Sequence, residues 1–114
     1  AKLMWHDPAK APDPSKLTDE QALVAGRNRE AMAVYGWEPY LHDPKLKGRL
    51  HRVDVPTLVI WGASDRLVTP DYGKKLAACI PGAKFETIEG AGHAPNVEQP
   101  EKFLSLVNAF AGAN

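Results

Sequence analysis

Cysteine is almost missing from this sequence: Cys79 stands alone among 114 residues. An internal disulfide is therefore excluded, and a reducing, cytoplasmic compartment is the default expectation. There is no surplus charge of either sign. Fourteen Lys and Arg residues balance fourteen Asp and Glu, which leaves no electrostatic footprint for nucleic acid or an anionic membrane. Long apolar runs are absent as well. The longest, Thr57 to Trp61 behind Val55, is far too short to span a bilayer. The start of the chain, with Lys2, His6 and Asp7 around a scrap of apolar sequence, is not expected to act as a secretory leader. No internal repeat or low-complexity tract is found, and serine occurs only at Ser15, Ser64 and Ser105. The remainder is ordinary for a soluble globular chain, with 44% apolar and 25% charged residues, enough for one small domain with a modest core.

Residues 1 to 16, punctuated by Pro8, Pro12 and Pro14, read as an irregular lead-in. Thr18 and Gln21 have the spacing of a capping box, so a helix is expected from Asp19 to about Tyr35, with Leu23, Ala31 and Val34 on one face and Gly26 weakening it. A Pro-punctuated connection follows, with a short helix expected around Pro44 to Leu50. From Val55 the pattern sharpens. "TLVIW" between Pro56 and Gly62 is a continuous apolar run, as in a parallel strand covered on both faces. "PDYGKKLAACIPG" predicts a helix opened by Pro70, with Leu76, Ala77 and Ile80 on one face, and stopped at Pro81-Gly82. "KFETI" predicts a second, more edge-like strand. A last helix begins near Pro100, with Phe103, Leu104, Val107, Phe110 and Ala111 as its core stripe. Strand, helix, strand, helix makes a right-handed crossover unit of an α/β protein.

Loops that leave the C-terminal ends of parallel strands carry the sites of open α/β sheets. "GASDRLVTP" leaves the first strand and "EGAGHAPN" the second, which brings Asp65 and His93 to neighbouring loops at one end of the sheet. Gly62, Gly90 and Gly92 allow those loops to turn sharply. A carboxylate facing an imidazole fixes its tautomer and stabilises the imidazolium formed on proton uptake, the acid–base half of a nucleophilic triad.

"VPTLVIWGASDRLVTP" followed by "IPGAKFETIEGAGHAPNVEQPEKF" resembles the last two strand–loop units of the α/β-hydrolase superfamily. There the acid lies in W-G-x-x-D and the histidine in G-H-x-P-x-x-E-x-P, positions matched by Asp65 and His93. The resemblance covers residues 53 to 112, and "WEPYLHDPKLKGRLHRV" is similar to the segment returning from the lid of lid-bearing members. It implies two segments: residues 1–52, lid-derived helix and connection, and residues 53–114, the C-terminal α/β core portion. The superfamily's nucleophile sits in G-x-S-x-G on an earlier elbow, and none of the three serines lies in that pattern. Cys79, set in a helix, has no elbow either. The chain, which starts at Ala1 without methionine, is accordingly expected to be the C-terminal portion of a larger hydrolase.

Two functions follow. In the first, the parent hydrolyses an ester, thioester or similar bond in a small molecule, with catalytic Asp65 and His93, no cofactor and no metal, and the chain alone is inactive. In the second, the chain is a binding or assembly module with the pair unused. The Thr57 to Trp61 strand has an obvious partner on one side only, so self-association through its exposed edge is expected. Trp61 at a strand end points to packing rather than substrate binding, while Trp5, Trp37 and Tyr40 suit either a pocket or a core. His6, His42 and His51 lack the companion ligands of a zinc site. Arg66 suits a local ion pair, and "KLKGRLHR" a solvated face.

Overall fold

The structure, a computed structural model, describes residues 2–112; Ala1, Ala113 and Asn114, the outermost residues of the two expected segments, lie outside the described residues. Contacts group the chain into two units, residues 12–46 and residues 1–11 together with 47–114. The lead-in 1–11, which the sequence places with the helical segment, thus packs with the core.

In the first unit, helix α1 runs over Asp19–Gly36 behind a complete capping box. The Thr18 hydroxyl accepts from the Gln21 amide at 3.3 Å, and the Gln21 side chain accepts from the Thr18 amide at 3.0 Å. No residue of α1 is buried, contrary to the stripe of Leu23, Ala31 and Val34. Met32 lies across the helix from Leu23 and Val34, with Val24 and Tyr35 between, so the apolar residues share no single face. Asp13 caps a short 3-10 turn at Pro14–Lys16, and its carboxyl is held below the usual carboxylate range by the Ser15 hydroxyl and then the Ser15 amide. Trp37 and Tyr40 meet edge to face and stay exposed, so neither is a core aromatic.

The expected helix from Pro44 to Leu50 is absent. The Asp43 carboxylate takes the Lys45 amide at 2.8 Å, a local turn that competes with helix formation, and only Leu50–Arg52 closes a 3-10 turn.

In the second unit, strand β1 (Leu58–Gly62) pairs in parallel with β2 (Lys84–Ile88), in register from Leu58 opposite Lys84 to Gly62 opposite Ile88. Helix α2 (Pro70–Ala77) crosses between them and packs on both, with Gly73 against Trp61 and Phe85. A single-turn helix α3 (Pro95–Glu98), unforeseen in the sequence, precedes α4 (Pro100–Gly112). Cys79 lies just past α2, its thiol donating to the Lys75 carbonyl.

Burial is sparse. Among the described residues the buried apolar side chains are Ala77, Ile88 and Ala91. Residues 58–61 of β1 are half-buried rather than covered on both faces, since β2 is their only strand neighbour among the described residues. In α4 the half-buried residues are Phe103, Leu106 and Phe110: Phe103 and Phe110 belong to the expected stripe, and Leu106 joins them in place of its other members. Leu104, Val107 and Ala111 are exposed, because the 103–106–110 spacing already follows one helical face. No helix among the described residues is long and apolar enough to cross a membrane.

Candidate active site

The two site loops are sewn together by backbone hydrogen bonds. Ala63 donates to the Ile88 carbonyl at 3.0 Å and Ser64 to the Ala91 carbonyl at 2.9 Å, which extends the parallel pairing beyond the strand ends. The loops can approach this closely because the contact is made by glycine. A Cβ built on Gly62 would stand 1.9 Å from the Gly92 carbonyl oxygen. Of the three glycines expected to ease the turns, Gly90 has φ +75, whereas Gly62 and Gly92 are required by lack of space.

This seam carries the pair. Asp65 is buried, and its Oδ1 accepts the Leu67 and Val68 amides at 2.9 and 3.0 Å. Its Oδ2 lies 2.9 Å from His93 Nδ1. A carboxylate already accepting two amides can only accept again, so Nδ1 carries the proton and Nε2 becomes the ring's lone-pair acceptor. The imidazole is partly open to solvent, with 37% of the side chain accessible. One nitrogen is thus anchored on a buried acceptor while the ring stays reachable. Trp61 braces the acid loop: its Nε1 donates to the Val68 carbonyl at 2.8 Å and its ring tilts against Tyr72, the packing role expected of it.

Other residues considered in the sequence fall elsewhere. Arg66 is exposed. Ser64 Oγ meets His6 Nδ1 at 2.8 Å rather than His93. Ser105 and Thr87 line a groove with Ile88, Glu89, Lys102 and Leu106 that contains neither Asp65 nor His93. Among the described residues no trio of His, Cys, Asp or Glu side chains is placed to hold a metal ion.

Two contributors carry no periodic signal in the sequence. An irregular strap at residues 3–7, turned at its start and bent at His6 and Asp7, lies over both loops, with the Leu3 carbonyl accepting from the Arg66 amide and the Met4 carbonyl from the His93 amide. Buried Glu98 reaches the strap from the end of α3. Its only trace in sequence is the glutamate of the G-H-x-P-x-x-E-x-P pattern.

A model of the alpha/beta hydrolase family matches residues 3–106. The chain belongs to this family. As an alpha/beta hydrolase it is 37% identical over 67 residues to 2-hydroxy-6-oxononadienedioate/2-hydroxy-6-oxononatrienedioate hydrolase 2 of Pseudomonas putida, a match covering 59% of this chain and 23% of that protein. It is 38% identical over 99 residues to a proline iminopeptidase of Clostridioides difficile, covering 87% of this chain and 32% of that one. Among solved structures, a thermophilic esterase from Thermogutta terrifontis superposes with a TM-score of 0.61 at 30% identity, over 65% of this chain and 27% of the esterase. The chain therefore spans between 23% and 32% of the length of these alpha/beta hydrolases.

Proposed function

We propose that this chain supplies the acid and the general base of a nucleophile–His–Asp triad in a longer alpha/beta hydrolase, which cleaves an ester or similar bond in a small molecule. The observation that carries this reading is the 2.9 Å contact from His93 Nδ1 to Asp65 Oδ2, which leaves Nε2 to do proton chemistry. The nucleophile's hydroxyl loses its proton to Nε2 as it attacks the substrate's carbonyl carbon. The imidazolium, stabilised by Asp65, then returns that proton to the leaving group. Water repeats the cycle on the covalent intermediate and frees the nucleophile. A named hydrolase, an iminopeptidase and an esterase all resemble this segment, which fits a proton relay indifferent to the bond cleaved, with specificity set elsewhere in the parent.

None of the chain's own three serines contacts His93. Ser64 is engaged with His6, Ser15 with Asp13, and Ser105 sits on α4 by the groove. Incubated with an activated ester such as a p-nitrophenyl acyl ester, the isolated chain is expected to release product no faster than its His93→Ala variant. Turnover that disappears in that variant would overturn the reading.

A second reading, assembly, is favoured by the open side of β1, which has β2 as its only strand neighbour among the described residues. Unpaired backbone groups at such an edge accept another strand. In the isolated chain the expected visitor is a second copy. Sedimentation velocity over a hundredfold concentration range should therefore show mass rising with concentration, and an invariant monomer would refute it.

A further inference from the structure

Glu98 is a charged side chain with 3% of its surface accessible, and a buried carboxylate is costly unless donors surround it. Here the donors are backbone amides from two separate stretches. Oε2 accepts from Gly92 at 2.6 Å; Oε1 accepts from His6 at 2.9 Å and from Asp7 at 3.1 Å. One side chain therefore joins the residue preceding His93 to the far end of the strap. The strap in turn grips the site at three further points: Leu3 carbonyl to the Arg66 amide, Met4 carbonyl to the His93 amide, and His6 Nδ1 to Ser64 Oγ at 2.8 Å. Arg66 and Ser64 flank Asp65 in sequence. The Gly92 position is so closely covered that a Cβ there would stand 2.3 Å from the Met4 carbonyl oxygen and 2.9 Å from the His6 nitrogen.

We infer that Glu98 is a positioning residue for the Asp65–His93 pair, acting by clamping the 3–7 strap across both loops. This rests on reading His93 as the base, but the geometry of the clamp does not. With the carboxylate intact, the strap holds His93 by its amide and Asp65 by its two neighbours, so the ring and its acceptor move as one body. A carboxylate suits the task because both of its oxygens accept. Glutamine has nearly the same shape but turns an NH2 toward one of the two donor sets, and a donor facing a donor releases either Gly92 or the strap.

The test is proton NMR of the whole 114-residue chain, comparing the unmodified protein with Glu98→Gln and, as a control, Glu101→Gln on exposed α4. In the unmodified chain and in Glu101→Gln, the His93 Nδ1–H signal is expected downfield and shielded from exchange with water. In Glu98→Gln that proton should exchange at least tenfold faster and the Met4, His6 and Gly92 amides should shift, while the resonances of β1 and β2 keep their dispersion. A folded Glu98→Gln whose His93 Nδ1–H is unchanged would overturn the inference. If Glu98→Gln does not fold, the unmodified chain decides by amide exchange: His6, Asp7 and Gly92 are expected to open together with the His93 Nδ1–H, and independent rates would overturn it. No hydrolysis is measured, so a catalytically idle pair would leave this result standing, and a failed clamp would leave the triad reading standing.

Discussion

Asp65→Asn in the full-length parent is expected to lower kcat by about four orders of magnitude, the scale found when the acid of such a triad becomes an amide, with little change in KM. The reason lies in the two faces of the carboxylate. Oδ1 already accepts the Leu67 and Val68 amides, and the asparagine oxygen would stay with those two donors. Its NH2 then faces His93 Nδ1, where the acid now accepts at 2.9 Å. A donor there forces Nδ1 to become the acceptor and moves the ring proton to Nε2. The nitrogen that should take the nucleophile's proton would be occupied, although the fold around it would hardly change. Pre-steady-state kinetics on a chromogenic ester would locate the loss in acylation. An Asp65→Asn enzyme within tenfold of the unmodified one would remove Asp65 from the triad.

The second large effect is on stability. Gly62→Ala is expected to cost about 3 kcal/mol or more, at the upper end of what overpacking costs. The added methyl would meet backbone, 1.9 Å from the Gly92 oxygen and 2.7 Å from the Ala91 oxygen, and no rotamer change relieves a clash with backbone. The loops would have to part, straining the Ala63–Ile88 and Ser64–Ala91 hydrogen bonds. For a domain of this size that corresponds to a fall in Tm of about 12 °C or more. Gly26→Ala, on a helix where a Cβ meets nothing within 4 Å, is the natural reference. Thermal melts followed by circular dichroism separate the two, and a Gly62→Ala melt within 3 °C of the unmodified chain would show that the seam is looser than described.

Both effects depend on features the sequence exposes unequally. The strands and the starts of α2 and α4 lie where apolar runs and Pro-led openings place them, because those signals are local, whereas α2 ends at Ala77, ahead of Ile80 and the Pro81-Gly82 stop. The Thr18–Gln21 box is legible for the same reason: donor and acceptor are three residues apart. The juxtaposition of Asp65 with His93 follows from topology, since parallel strands deliver their following loops to one edge. What sequence conceals is contact made by irregular backbone. The strap at residues 3–7 has no period, so nothing local says that it lies over a loop ninety residues away. Glu98 shows the same limit in side-chain form. An acidic residue beside a glutamine suggests solvent, and only its three amide donors explain its burial. On α4 the pattern finds Phe103 and Phe110 but not Leu106, because Leu104 and Val107 are as apolar as Leu106 and hydrophobicity alone cannot choose between adjacent ridges.

The strap also bears on how the Asp65–His93 pair could be transplanted. A protein engineer wishing to graft the Asp65–His93 pair into an unrelated scaffold would naturally excise residues 57–99, a contiguous cassette of strand, helix, strand and both turns. That cassette would arrive without the irregular peptide that roofs it, with the carboxylate of Glu98 stripped of two of its three amide donors. The minimal portable unit is two pieces of chain, and the host must supply the second as an irregular, bent segment laid over Gly92.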